Sequence, residues 1–368
     1  MTRRRVAIAP SLGLACLWLA GACSSSTATT TPDFGGDCTH VAAASETVTV
    51  SDDYGPLEGT LDVPPACERM PVVLVLSGSG PEDRDGNSPG ASGQTDMYKL
   101  LAHGLRDQGF AVLRFDDPGV AHSAKAFPSS EAKITYELEI DAASLWLPLL
   151  HADPRFGPVV AAGHSQGSLT AILLAERGRV DAVISLAGAG RPIDQVLREQ
   201  LLPQLTTEEL ARLDAVLAKL KAGMLAGPQD PPLDQLFRVS VQPYYISWMK
   251  YDPKAEVAKL AAPTLLVQGR TDAQVSVADA QLLAAGKPDA QLTLIDDMCH
   301  VLKQASDPDL ATQSAQYAIF GSVDPAASRA GAGPRCVLAD AARARSARRG
   351  AVNDDRLTGR SGRRRVGR

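Results

Sequence analysis

A chain of 368 residues, 45% hydrophobic and 21% charged, has enough apolar material for one large domain or two small ones. The overall charge of −5 hides an asymmetry, because from Ser322 onward twelve arginines face four aspartates, a net of +8 that leaves −13 on residues 1–321. An acidic body offers no polyanion-binding surface, and no C-x-x-C or His-rich cluster points to zinc, so neither nucleic-acid binding nor a metal site is expected.

In chain order, the first segment reads as a targeting sequence and not as part of a fold. Arg3, Arg4 and Arg5 form a charged start, and Val6 to Ala20 is apolar but too short to span a bilayer comfortably. "LAGAC" then sets small residues directly before Cys23, and a polar Ser/Thr stretch follows. Residues 1–22 are therefore read as a signal peptide and 23–44 as a tether. The pattern resembles a bacterial lipoprotein signal, in which Cys23 is acylated after cleavage. An ordinary secretory signal cut nearby is the alternative. Either reading predicts export to the cell envelope, and the first adds a lipid anchor to the membrane. Cys16 leaves with the signal. Cys38 and Cys67 each stand just ahead of strand-like sequence, so a bridge between them is plausible in an oxidising compartment. Cys299 and Cys336 have no evident partner.

The domain proper is read over residues 45–320. "ETVTV" (46–50) alternates, "DDYGP" turns, and "LEGTLDV" (57–63) returns, which predicts an antiparallel hairpin. "PVVLVLS" (71–77) is a continuous apolar run, as expected of a strand buried on both faces. A helix over 96–109, a strand over 110–116, a helix over roughly 133–151 and a strand over 158–163 follow. Next come a helix from Gln166 to about Arg177 and a strand over 180–188. A strand over 263–269, a helix near 277–285, a strand over 290–296 and a final helix near 301–319 complete the series. Strands alternating with helices predict an α/β fold, a mostly parallel sheet with helices on both faces.

One segment breaks the alternation. Residues 191–251 hold no strand candidate but do hold the helix "TTEELARLDAVLAKLKAGML", with Thr206 or Thr207 as its N-cap. A helical insertion between two sheet strands predicts a lid over the strand ends. Its second half concentrates Phe237, Tyr244, Tyr245, Trp248 and Tyr251. On a helix, Tyr244, Trp248 and Tyr251 share one face. That face either glues the lid to the sheet or also lines a substrate pocket. Residues 321–368 are Ala, Gly and Arg without aromatic residues or apolar period, which predicts a disordered basic tail.

"AAGHSQGSLTA" (161–171) holds a serine between two glycines where a buried strand turns directly into a helix. That arrangement predicts a nucleophile elbow, in which the tight turn lifts the Ser165 hydroxyl above the sheet. A serine hydroxyl needs a base to take its proton and a carboxylate to orient that base. Among six histidines only His300, in "DDMCHVLK", follows the last strand, at the sheet edge where Ser165 also stands. His164 lies inside the motif without facing Ser165, and His103 and His151 sit on helix patterns. Asp272, in "VQGRTDAQV", occupies the loop after the preceding strand, whereas Asp296 and Asp297 continue the His300 loop itself. The order is Ser165, Asp272, His300.

On these residues the chain resembles an α/β-hydrolase, and more narrowly the exported bacterial serine hydrolases described as esterases or serine-aminopeptidase-like proteins. "LSGSGPEDRDG" (76–86), "LRFDDPGVAHS" (113–123) and "MCHVLK" (298–303) add to the match. Where the family commonly has an Arg-Gly-x-Gly-x-Ser loop, this chain departs at Pro118 and carries His122 before Ser123. The resemblance implies an oxyanion hole made of two backbone N–H groups, that of Gln166 directly after the nucleophile and that of Ser79 in the loop after the third strand. It implies hydrolysis of a carboxylic ester through an acyl-enzyme, with no metal or organic cofactor. A peptidase using the same triad, and a catalytically silent envelope lipoprotein, are the alternatives.

Overall fold

Alternation at the N-terminal end produces the expected hairpin. β1 (Ala44–Ser51) runs antiparallel to β2 (Pro56–Val63), with Ala44 opposite Val63 and Ser51 opposite Pro56. The computed structural model describes residues 42–66, 68–89, 93–309 and 312–313. The expected signal peptide, most of the tether, Cys23, Cys38, Cys67 and the tail from 321 onward lie outside them. All described residues belong to one unit, Cys38–Arg368. None of their helices is long and apolar enough to cross a membrane.

The remaining elements follow in βα alternation. β3 (Met70–Leu76), α1 (Met97–Arg106), β4 (Ala111–Phe115), α2 (Tyr136–Ser144), α3 (Trp146–Ala152), β5 (Phe156–His164), α4 (Gln166–Glu176) and β6 (Ala182–Leu186) come first. α5 (Ile193–Leu201), α6 (Thr207–Lys221), α7 (Gln242–Trp248) and α8 (Pro253–Val257) lie between β6 and β7 (Thr264–Gly269). α9 (Val277–Gly286) and β8 (Gln291–Ile295) end the series. The eight strands form one sheet in the order β1-β2-β4-β3-β5-β6-β7-β8. From β4 to β8 every pairing is parallel, and β2 joins β4 antiparallel.

The continuous apolar runs are explained by burial on two faces. In β3, Val72, Leu74 and Leu76 pack with Trp146, Leu147 and Leu150, while Val73 and Val75 pack on the other side with Leu101, Leu105 and Val267. Each such side chain contributes about 2 kcal/mol on burial, so neither face can be left open to water. Parallel strands also put all their C-terminal ends on one edge, where the connecting loops collect.

The insertion between β6 and β7 is anchored at its start. The Arg191 guanidinium makes two 2.8 Å bonds to the Asp279 carboxylate on α9. Thr206 caps α6, accepting from the Glu209 backbone N–H while the Glu209 carboxylate takes the Thr206 N–H at 2.8 Å.

Three local expectations differ from the structure. The helix over 133–151 divides at Leu145 into α2 and α3. α8 is an additional turn of helix, started by Pro253 and by the Asp252 carboxylate, which accepts the N–H groups of Lys254 and Ala255. Over 301–309 no helix forms, since Leu302 is left-handed (φ 59°) and Met298 bridges to Gln304. Val301, Leu302 and Ala305 are buried because this loop folds back on the sheet, not because they share a helix face.

Candidate active site

The turn at Ser165 is built by its glycines. Ser165 takes φ 51° and ψ −115°, a conformation that L residues rarely adopt. Its backbone N–H bonds the Leu186 carbonyl at 2.8 Å, and its carbonyl receives the Ser168 N–H, so the strain is held from both sides. A Cβ at Gly163 would lie 1.9 Å from the Gly167 carbonyl oxygen, and one at Gly167 only 2.3 Å from that of Ser77. Glycine is therefore required at both positions for β5 to turn into α4.

Asp272 and His300 reach the same edge from β7 and β8. His300 Nδ1 and Asp272 Oδ2 are 2.9 Å apart, and both side chains are almost fully buried. The Asp272 carboxylate also accepts the N–H groups of Gln274 (2.8 Å) and Val275 (2.9 Å) and the amide of Gln268 (3.0 Å). Burial pushes this carboxyl up, but the His300 charge and bond and the two backbone N–H groups outweigh it. The net shift is downward, so Asp272 is ionised at neutral pH. With Nδ1 committed to Asp272, the Nε2 of His300 is the nitrogen left for a reacting group.

The loop after β3 carries Gly78, Ser79 and Gly80 along a cavity of about 850 Å³ that Ser165 and Gln166 also line. Among the described residues, no acceptor takes the backbone N–H of Ser79 or that of Gln166. The Gly78 N–H, by contrast, is engaged by Glu82 Oε2 (2.8 Å) and Tyr98 Oη (2.7 Å). Behind the loop, Asp117 accepts Ser77 Oγ at 2.5 Å and the Glu82 N–H at 2.9 Å. Burial raises the Asp117 carboxyl well above the usual carboxylate range.

The cavity is mostly apolar, with Leu76, Phe115, Leu169, Val196 and Trp248 among its walls. Polar groups interrupt it, among them Asp117, Glu139 and Arg191. Glu139 is bonded by Tyr244 Oη (2.8 Å) and by the amide of Gln166, and burial pushes its carboxyl up to about 7. Around Tyr136 the aromatic residues of the insertion gather. Trp248 stacks on it at 5.5 Å, and Tyr244 and Tyr251 meet it edge-on at 6.2 and 5.7 Å. Of the expected pocket residues, Tyr244 and Trp248 line the cavity, while Tyr251 packs on Tyr136 and stays outside it. α7 ends at Trp248, so the helical spacing that would carry Tyr251 to the same face is interrupted.

Packing and lining are thus one surface. Trp248→Ala is expected to lower stability by about 3 kcal/mol and also to raise kcat/KM for longer acyl esters relative to acetate. Melting curves and a chain-length series check both effects. An unchanged ratio of specificity constants would leave Trp248 a packing residue only.

Other residues fall where their chemistry puts them. Asp296 is largely exposed and paired with Arg270 at 2.8 Å, and Asp297 is a left-handed turn residue (φ 55°). His122 is 70% exposed beside Asp116, while Pro118 lines the cavity. His164 is buried, with its ring bonded to Tyr98 and to the His300 carbonyl, an arrangement that no local sequence signal announces. Glu139 carries no sequence signal either, since nothing in a helix pattern distinguishes a cavity-facing side chain from a packed one. Among the described residues no group of three or more His, Cys, Asp or Glu is arranged to hold a metal ion.

Comparison with known proteins agrees with this architecture. The profile of a family described as serine aminopeptidase, S33, matches residues 88–307. The esterase EstD of Thermotoga maritima is 26% identical over 252 residues, 67% of this chain. That match spans 58% of the relative's own length. Among solved structures, Est1E from Butyrivibrio proteoclasticus, bound to ferulic acid, superposes with a TM-score of 0.51 at 19% identity. The superposition covers 74% of this chain and 96% of that one, and it speaks to the fold alone. With its eight-stranded, mostly parallel sheet and N-terminal antiparallel hairpin, the chain has the α/β-hydrolase fold and belongs to the serine aminopeptidase S33 family.

Proposed function

We propose that this protein hydrolyses carboxylic esters through an acyl-enzyme on Ser165. The observation that carries the reading is the strained Ser165 turn opening on a large apolar cavity at the sheet edge that also holds the Asp272–His300 pair. In the first step His300 Nε2 takes the Ser165 proton as Oγ attacks the ester carbonyl. The Asp272 carboxylate holds the imidazole in the required tautomer and stabilises the imidazolium that forms. The tetrahedral oxygen, now negative, is received by the N–H groups of Ser79 and Gln166 at the positive end of α4. His300 returns the proton to the departing alcohol. Water then repeats the sequence on the acyl-enzyme and releases the acid. These steps use only side chains, backbone donors and water.

The apolar stretch of wall at Leu76, Phe115, Leu169, Val196 and Trp248 suits the acyl chain of an ester better than a peptide backbone, whose amides it would leave unpaired. Turnover of p-nitrophenyl acetate and butyrate, compared with amino-acyl anilides, tests the choice. Faster anilide cleavage would make this a peptidase. No turnover of either, with no fluorophosphonate adduct, would fit a silent binding lipoprotein.

The same proposal includes export and a lipid on Cys23, supported by the charged, apolar and small-residue order of the first 23 residues. Cys23→Ser is expected to move the protein from the membrane fraction into a soluble exported form. A variant that sediments with membranes as wild type does would rule this anchor out.

A further inference from the structure

Behind the Ser165 turn, Glu82, Tyr98 and His164 form a buried chain that lines no part of the cavity and takes no step in the reaction above. Its ends are functional loops. Gly78, beside Ser79, donates its N–H to both Tyr98 Oη (2.7 Å) and Glu82 Oε2 (2.8 Å). At the other end, His164 Nε2 lies 2.8 Å from the backbone carbonyl of His300.

Counting protons fixes the direction of the chain. A carbonyl only accepts, so His164 Nε2 must carry a hydrogen. In a neutral imidazole Nδ1 then offers only a lone pair, and Tyr98 must donate to it across 3.0 Å. A phenol has one proton. The 2.8 Å contact between Tyr98 Oη and Glu82 Oε2 therefore needs a hydrogen on Glu82. The other consistent assignment ionises Glu82 and makes His164 an imidazolium. That cation would stand against the His300 ring, with centroids 4.8 Å apart, the ring that must itself become positive when it takes the Ser165 proton. Burial and the neighbouring His300 charge oppose it as well, and push His164 down to about 3.

The groups facing Glu82 agree. Burial raises its carboxyl, and the contacts with Tyr98 and Gly78 and the charge of His300 offset only part of this, while Asp83 adds to it. Asp117 faces the segment through the Glu82 backbone N–H.

We propose that Glu82 is held as a neutral carboxylic acid, and that the chain Glu82 to Tyr98 to His164 to the His300 carbonyl positions the oxyanion loop and the histidine loop against each other. Glu82, Tyr98 and His164 are positioning residues, and the proposal rests on the assignment of Ser165, Asp272 and His300 as the reacting set. The loop after β3, the helix α1 that follows it and the end of β5 are tied by it to the loop after β8. A shift of about 1 Å between donors and base is enough to cost on the order of a hundredfold in rate.

The test begins on the resting, full-length protein. Nitrogen-15 spectra of the histidine side chains are expected to show His164 as the neutral Nε2–H tautomer from about pH 5 to about pH 8. An infrared difference spectrum between wild type and Glu82→Gln at about pH 8 is expected to lose a protonated-carboxyl band. An imidazolium or an Nδ1–H tautomer at His164, or the loss of a carboxylate band in place of the acid band, would overturn the assignment. Tyr98→Phe is expected to lower kcat roughly tenfold to a hundredfold with KM within about twofold. Wild-type kcat in Tyr98→Phe would remove the positioning role. If that variant does not fold, the two spectra on folded protein still decide where the proton is. They do not depend on turnover, so a failure of the Ser165 reading and a failure of this one are distinguishable.

Discussion

Ser165→Ala is expected to lower ester turnover by about three orders of magnitude or more, with the melting temperature within a few degrees of wild type. Alanine retains the Cβ and loses only the oxygen that attacks. The left-handed turn, the Leu186 bond and the surrounding core are unchanged by it. Asp272→Asn and His300→Ala are expected to fall to a similar level. An asparagine at 272 keeps the shape of the carboxylate but presents an N–H to His300, which favours the wrong tautomer. The double variant Ser165→Ala, His300→Ala should be no slower than the slower single one, because the residues act as a unit. Initial rates with p-nitrophenyl butyrate measure this, and multiplying losses would contradict it.

The second large effect concerns the backbone. Gly163→Ala is expected to cost roughly 3 kcal/mol of stability or more and to abolish turnover in whatever protein remains folded. The added Cβ meets the Gly167 carbonyl at 1.9 Å and the Ser168 nitrogen at 2.6 Å, both backbone atoms that no rotamer change can move. To admit it, α4 must back away from β5, which carries Ser165 and the Gln166 N–H away from the oxyanion position. Gly157→Ala, on the same strand, meets nothing closer than 3.7 Å and serves as the control. Urea unfolding of the two variants gives the comparison. Near-equal midpoints would mean that the turn tolerates a side chain at 163 and is looser than the structure requires.

What the sequence disclosed follows from how local each signal is. Strands β3, β5, β6 and β7 are predominantly apolar runs bounded by polar turns, and such runs are legible because burial on two faces favours apolar residues at nearly every position. Ser165 stands out in the sequence because its glycines, the strand before it and the helix after it are contiguous. Asp272 and His300 are legible from their positions after strands, and the structure brings those two side chains into a hydrogen bond. The misreadings occur where a local pattern meets a tertiary demand. "HVLKQA" carries apolar residues at a spacing that a helix would also use, yet the loop closes through a left-handed Leu302 and a Cys299–Lys303 backbone bond. Helical spacing groups Tyr251 with Tyr244 and Trp248, and the end of α7 at Trp248 breaks that phase. The chain of Glu82, Tyr98 and His164 leaves no trace in the sequence, because the loop after β3 brings Glu82 to Tyr98 and only the sheet order brings His164 to both.

Polar side chains join the insertion to the first turn of α4. Gln166 contributes its backbone N–H toward the proposed oxyanion position while its side-chain amide bonds Glu139 and, at 2.5 Å, Tyr244. The cavity wall formed by α7 is thereby tied to the residue that follows the nucleophile. Substitutions in the insertion are for this reason expected to reach kcat as well as acyl-chain selectivity.

The most direct measurement is the reaction of the intact protein with a fluorophosphonate, followed by peptide mass spectrometry. The account predicts one adduct, on Ser165, formed in step with the loss of ester turnover and absent from Ser165→Ala. An adduct on another residue, or full inhibition with Ser165 unmodified, would contradict it.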